Sequence, residues 1–310
     1  MIHTYTSTGS KLIHHPVVVN KIKREERGTP VSLQVGPTSR CNLNCSFCSN
    51  ANREKHEDLS LPDLKKVMKE LRYIGLQTVE WTGGGDPTLY EYINFMLSFC
   101  DAIGLEQGFI SNGILLREKI EEPNLNRLKW LRISMNCLDY VHTVDIPEIR
   151  GTLGFSYVMN DKTSPDILSK LDHLVGKYKP QYVRIVTNCL ATDEEQKHNN
   201  WKYGKMVEDW GPPYFYQPKV FERSEKCYWN YFKPFLLHDG YVYPCSSVVL
   251  HSGSNGKFHE KYRWVEMTEL PNVYKHRMKP FPTINCDCCV FKGQNDLVDM
   301  ILNPQMENFI

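Results

Sequence analysis

From about residue 31 the chain alternates short β-rich runs with helical patterns, and this alternation constrains the fold more than any other feature. Segments 31–35, 78–82, 108–111, 130–135, 155–159 and 182–187 read as strands. A helix capped by Ser60, with Pro62 in its first turn, carries Leu64, Val67, Met68 and Leu71 on one face and stops at Gly75. Segments 89–103 and 165–178 read as further helices, the latter with Ile167, Leu168, Leu171, Leu174 and Val175 on its apolar side. Strands joined by helical crossovers pair in parallel, so the pattern predicts an α/β fold with a curved sheet, a partial (β/α)6 barrel. Such sheets carry their ligands at the C-terminal ends of the strands. Three polar stretches fall there: the segment after 31–35, Gly83-Gly84-Gly85-Asp86-Pro87, and Ser111-Asn112-Gly113.

After about Pro212 the character changes. Aromatic residues crowd in (Tyr214, Phe215, Tyr216, Phe221, Tyr228, Trp229), and 235–243 reads as a β-hairpin turning at Asp239-Gly240. The expected organisation is an N-terminal extension over 1–30, the barrel over 31–212, and a small α+β unit over 213–310.

Lys+Arg 37 against Asp+Glu 36 leaves a net charge of +1, so no global field points to nucleic acid or a membrane surface. No apolar run is long enough to span a bilayer and the N-terminus lacks a secretory h-region, so the expected location is the cytoplasm. A secreted disulfide framework fits poorly, since the cysteines number eleven and no signal peptide precedes them. They bunch instead at 41, 45 and 48 and at 227, 245, 286, 288 and 289, which favours metal; Cys100, Cys137 and Cys189 stand alone in apolar surroundings.

The first bunch, Cys41-Asn42-Leu43-Asn44-Cys45-Ser46-Phe47-Cys48, puts three thiols on one loop with no fourth. An iron–sulfur cube held by three cysteines keeps one iron free for a small molecule. Zinc is the alternative, but it wants a fourth Cys or His, and only His56 stands near.

The spacing Cys-x3-Cys-x2-Cys, with Phe47 just before the third cysteine, resembles the radical S-adenosylmethionine (SAM) superfamily. The resemblance implies that Cys41, Cys45 and Cys48 ligate a [4Fe–4S] cluster whose open iron binds SAM. Reduction then cleaves SAM to a 5′-deoxyadenosyl radical, which abstracts hydrogen from a substrate. Gly84-Gly85-Asp86-Pro87 matches the family's Gly-Gly-Glu-Pro stretch, which holds the SAM ammonium; Asp86 is one methylene shorter than the usual Glu, which shifts that contact toward backbone. By the same resemblance Ser111, Ser134, Asn136 and Arg184 are candidate SAM contacts, with ordinary strand-end polar residues as the alternative.

Cys227-x17-Cys245, spanning the hairpin, and the later Cys286-x2-Cys289 resemble the SPASM/twitch extension, with spacing closest to the twitch dehydrogenase group. The full SPASM pattern needs about seven cysteines for two clusters; five are present, so the resemblance implies one auxiliary [4Fe–4S] cluster. The family spacing favours Cys286 and Cys289 as ligands and leaves Cys288 spare, with a zinc ribbon as the alternative.

A fully ligated auxiliary cluster implies electron removal, hence an oxidoreductase carrying out dehydrogenation or oxidative cross-linking. A low-potential donor such as flavodoxin or ferredoxin would supply the first electron. The alternatives are a peptide epimerase with Cys189 or Cys137 as hydrogen donor, a nucleotide- or RNA-modifying enzyme, and a non-enzymatic zinc-stabilised binding protein. Only about thirty residues precede the first strand, with Lys21, Lys23, Arg24 and Arg27 among them, too few for a leader-peptide-binding winged helix. A small molecule or short peptide is therefore the expected substrate, with nucleic acid less favoured.

Overall fold

The structure, a computed structural model, describes residues 5–6, 9–51, 56–218, 222–246, 260–276, 279–283, 286 and 289–304. Its frame is a mixed sheet of ten strands in the order β10-β9-β8-β1-β2-β3-β4-β5-β6-β7. Seven of these run parallel in chain order: β1 (Ser32–Val35), β2 (Thr78–Trp81), β3 (Glu106–Ser111), β4 (Leu128–Ser134), β5 (Thr152–Met159), β6 (Tyr182–Thr187) and β7 (Tyr214–Tyr216). The first six correspond to the strands expected from sequence, and the parallel α/β architecture is as predicted.

The seventh strand is a correction. An eighteen-residue helix, Asp193–Trp210, starts from a capping box formed by Thr192 and Glu195 and returns the chain to pair Val183 with Tyr214. The boundary expected after residue 212 therefore puts this strand in the C-terminal unit, although it pairs with β6. The aromatic composition of 214–216 disguised it, because three residues are too few to show a period. Beyond it, β8 (Phe235–Leu236) pairs parallel with β1 and antiparallel with β9 (Tyr241–Tyr243), and β10 (Val265–Glu266) completes the edge. The hairpin turns where expected, with Gly240 at φ +79°. The C-terminal segment thus extends the same sheet from β1 outward.

Alternation along the strands sorts the two faces. Leu33, Val35, Val79, Trp81, Phe109, Leu131, Ile133, Phe155, Val183 and Ile185 are buried in one hydrophobic core. The helix Leu61–Ile74 packs Leu64, Val67, Met68 and Leu71 into that core, and Gly75, at φ +121°, ends it. The opposite face of the sheet is polar and carries Gln34, Glu80, Arg132 and Arg184 around a cavity of about 790 Å³. Two glycines on this face make room for rings: a Cβ on Gly108 would lie 2.1 Å from the Trp130 ring, and one on Gly154 2.0 Å from the Tyr182 ring.

The expected N-terminal extension is structured where described. A 3-10 turn, Gly9–His14, leads into the helix Pro16–Lys23, which buries Val18, Val19 and Ile22. Tyr5 stacks on Tyr182 at 4.5 Å, and Tyr5, Lys11 and His15 line one side of the cavity. The helix expected over 89–103 is split into a 3-10 turn, Pro87–Leu89, and the helix Ile93–Ala102.

Candidate active site

The cysteine loop leaves β1 at Gly36 and is closed at its base by its own two arms. Thr38 and Asp58 form an antiparallel bridge, Ser39 N–H donates to Glu57 O at 2.8 Å, and Arg40 forms an ion pair with Asp58. At its tip, Cys48 N–H donates to Cys45 O at 3.1 Å, so Cys45-Ser46-Phe47-Cys48 is one tight turn with Phe47 half-buried inside it. Burial pushes the Cys45 thiol up to about 11, the Tyr140 hydroxyl opposes this by a hydrogen bond, and Cys48 and Cys41 push it higher. The three thiols therefore lie within electrostatic reach of one another. Tyr140, just past β4, also donates to Asn44 O at 3.1 Å, and Ser46 Oγ donates to Asp161 at 2.9 Å. The loop is therefore tied to the segments that follow β4 and β5.

The glycine run lies directly against this loop. Gly85 N–H donates to Thr38 O at 2.7 Å and Asp86 N–H to Arg40 O at 2.8 Å. A Cβ on Gly85 would sit 1.9 Å from Arg40 O, and one on Gly84 would sit 2.1 Å from His238 Nδ1. These glycines allow two pieces of chain to approach within backbone contact. His238, buried at the β8–β9 turn, also stands 3.5 Å from Glu57 Oε2. The hairpin thus reaches both the cysteine loop and the glycine run. Sequence reading missed His238, although its place beside Asp239-Gly240 marked it as a turn residue.

Asp86 is buried and its carboxylate is fully engaged. It accepts from Thr88 N–H at 3.0 Å and Thr88 Oγ1 at 2.7 Å, from Ser111 Oγ at 3.0 Å, and from Asn112 N–H at 2.8 Å. The sequence reading expected the ammonium contact to shift from this carboxylate toward backbone, and the carboxylate is engaged in shaping the loop. Ser111, at 3% exposure, is likewise turned to Asp86 and to Gly113 N–H. Asn112 Nδ2 donates to Asn42 Oδ1, inside the cysteine motif, at 2.7 Å. Three strand ends are thereby stitched together through Asn42, Asn112 and Asp86, and the backbone of 83–86 is held beside the thiols.

The remaining candidates divide. Ser134 is half-buried at the end of β4 and makes no cap hydrogen bond with its side chain. Asn136 corrects its expected role: at 1% exposure it binds Val158 through both N–H and C=O and donates to Asp139, so it locks β4 to β5 and does not face the cavity. Cys137 is fully buried, with burial pushing its thiol up to about 12, so no substrate reaches it as a hydrogen donor. Cys189 is half-buried in the turn after β6, within electrostatic reach of Arg184. Arg184 lines the cavity, donates to Gln217 Oε1 at 3.2 Å, and has a buried Nε with no hydrogen-bond partner. Burial and the nearby Arg132 lower it to about 9, still a cation at neutral pH.

In the C-terminal segment, Cys227 is buried and pushed up to about 12 by desolvation, with Cys289 and Cys286 adding to the effect and the N–H groups of Trp229 and Asn230 opposing it. Cys289 Sγ accepts from Phe291 N–H at 3.3 Å and from the Asn295 side chain at 3.8 Å. The structure brings Cys227, Cys286 and Cys289 within mutual influence. Cys245 is buried just past β9, and Cys288 lies outside the described residues. Among the described residues no three His, Cys, Asp or Glu side chains stand close enough to hold a metal ion as they are. The donor sets fit iron–sulfur clusters: thiols are the required ligands, and amide N–H groups aimed at sulfur are a recognised means of tuning them.

A parallel α/β sheet with a three-cysteine loop at the end of β1 and a glycine run beside it defines the class. Residues 35–145 match the family model described as Radical SAM superfamily. A GTP 3′,8-cyclase from Clostridium perfringens is 33% identical over 127 residues, 39% of each chain. An S-adenosylmethionine-dependent nucleotide dehydratase, RSAD2, from Oncorhynchus mykiss is 25% identical over 201 residues, covering 63% of this chain and 55% of that one. The chain thus spans between about two-fifths and just over half of these relatives. In structure it is similar to Streptococcus suis SuiB bound to precursor peptide SuiA, with a TM-score of 0.54 at 15% identity over 97% of this chain and 80% of that one. Among the described residues no helix is long and apolar enough to cross a membrane.

Proposed function

We propose that this chain is a radical SAM enzyme that oxidises, by dehydrogenation or cross-linking, a small molecule or short peptide in the cytoplasm. The observation that carries the reading is the link from Asn42 through Asn112 to Asp86, which fixes the three-thiol loop against the glycine run. Cys41, Cys45 and Cys48 would hold a [4Fe–4S] cluster with one open iron. Beside them the backbone of Gly84, Gly85 and Asp86, with Phe47 and Ser134, would receive SAM. The chemistry supplied by that bound pair is one-electron cleavage of the sulfonium, giving methionine and a 5′-deoxyadenosyl radical, with the electron drawn from a flavodoxin- or ferredoxin-class donor.

The substrate loses one hydrogen atom, recovered as 5′-deoxyadenosine, then one electron and one proton, which completes a two-electron oxidation. Cys227, Cys245, Cys286 and Cys289 would hold the auxiliary cluster that accepts that electron, in a twitch-like arrangement. Amide donors to Cys227 and Cys289 support this assignment, because they stabilise charge on ligating sulfur. The names of the relatives point to nucleotides and that of the structural neighbour to a peptide, so both substrate classes enter the test.

Anaerobic reconstitution followed by iron, sulfide and SAM-cleavage assays tests the proposal. About eight irons per chain, with 5′-deoxyadenosine formed on reduction, is the expected result. Two zinc ions and no SAM cleavage would overturn it, while about four irons with cleavage would remove the auxiliary site alone.

A further inference from the structure

The cavity on the polar face of the sheet is lined by residues of the N-terminal segment and by Ser49 and Asn50 of the cysteine loop, among others. Its charge is one-sided. Lys11, Arg132, Arg184 and Lys233 line it around Glu80, whose carboxylate pairs with Lys233 at 2.7 Å and accepts from Gln34 at 2.8 Å. The other acidic residue at the wall, Glu106, is exposed and pairs with Lys129 at 3.2 Å. Lys11, Arg132 and Arg184 form no direct ion pair among the described residues, although Glu80 acts on Lys11 and Arg184 from a distance. Arg132 donates to Tyr182 Oη at 3.0 Å and to Tyr5 O at 3.2 Å, and Arg184 to Gln217, all neutral acceptors.

The four cations are close enough to act on one another. Lys11 has its proton affinity lowered by burial, by Lys233 and by Arg132, and raised by Glu80. Like charges gathered in a low-dielectric wall repel, and an unpaired guanidinium is costly to bury. A chain of net charge +1 has thus concentrated positive charge around this cavity. A cleft of one sign focuses field and draws in the opposite charge, and a volume of this order suits a small-molecule ligand. Guanidinium forks match phosphate or carboxylate oxygens.

We propose that this cavity takes a multiply anionic small molecule, with its negative end held among Lys11, Arg132, Arg184 and Lys233 and the remainder directed toward the cysteine loop. This names the substrate class of the site proposed above and rests on that reading.

The test is calorimetric titration of the full, cluster-reconstituted chain under anaerobic conditions, with inorganic pyrophosphate and glutarate as probes. At least one should bind, with affinity that falls as salt rises. That affinity should fall at least tenfold in Arg132→Gln and in Arg184→Gln, and severalfold in Lys11→Gln, whose side chain lies outside the hydrophobic core. Lys129→Gln should stay within twofold. Tighter pyrophosphate assigns a phosphorylated ligand, and tighter glutarate a polycarboxylate. No binding of either probe at millimolar concentration, or equal binding in all four variants, overturns the proposal. SAM cleavage without substrate is read separately on the unsubstituted chain. Its loss with anion binding intact sinks the proposed reaction alone, and the converse sinks this inference alone.

Discussion

Asp86 Oδ2 accepts the Asn112 N–H at 2.8 Å, and this contact makes the turn after β2 and the end of β3 one rigid unit. The same carboxylate holds Thr88 and Ser111. Asp86→Asn puts an amide donor among four donors and should cost about 2–3 kcal/mol in denaturant unfolding. Asp86→Glu restores charge but forces a methylene into a filled site, at about 1–3 kcal/mol. Both should lower iron incorporation, read by iron analysis, because the Asn112–Asn42 contact rests on this unit. Full iron loading in Asp86→Glu would show that the extra methylene is tolerated, and full loading in Asp86→Asn that the carboxylate is not structural.

Gly85→Ala tests the close approach of loop and glycine run. Its Cβ would meet backbone at 1.9 Å, which no rotamer relieves, so the cysteine loop must move away. Iron uptake should fall severalfold while far-ultraviolet dichroism holds. Gly176→Ala, inside the helix Pro165–Tyr178 with nothing within 4 Å of the new Cβ, should instead stabilise by about 0.5–1 kcal/mol. Equal effects from both would mean that the loop does not depend on the glycine run.

Much of this arrangement was legible before the structure, because strand alternation and crossover helices act locally. The six strands and the position of the three-cysteine loop at the end of β1 followed from periods of two and 3.6. What escaped reading was set by contacts between distant parts of the chain. Asn136 had the right residue type at the right strand end, yet its amide is taken by Val158, which only the β4–β5 register brings near. Lys11 and Lys233 reach the cavity from outside the six strands that were read, so no spacing rule linked them to Arg132. The strand pattern did hold one unused signal: Gln34, Glu80, Arg132 and Arg184 are polar residues at alternating positions within apolar strands.

Cys100 and Cys137 should behave as core residues. Burial raises both thiols above the ordinary value, Cys137 to about 12. Alkylation at pH 8 should leave both unmodified in the folded chain and modify both after denaturation. Each raised pKa favours the neutral thiol, so its contribution to stability is fully present below about pH 9, the unfolded value, and is lost as pH climbs toward 12. The denaturation midpoint should therefore drop over that interval, and Cys100→Ala should flatten the drop. A midpoint unchanged from pH 9 to 12 would contradict the burial.

Glu80 is the carboxylate about which the cavity cations are arranged, with side-chain exposures of 15% for Glu80 and 18% for Lys233. Removing one partner of such a pair leaves a charge in place without its compensation, so Glu80→Gln should cost about 3 kcal/mol at low salt. The loss should exceed that from Lys233→Met, which removes a cation from a crowded set and relieves repulsion with Lys11. Because the penalty is electrostatic and the cavity has contact with solvent, raising salt from about 0.01 M to 1 M shortens the Debye length from about 30 Å to 3 Å and should recover part of it. Thermal melts of both variants across that salt range decide the matter. A Glu80→Gln loss independent of salt would mean that the residue acts through its hydrogen bond to Gln34 rather than through its charge.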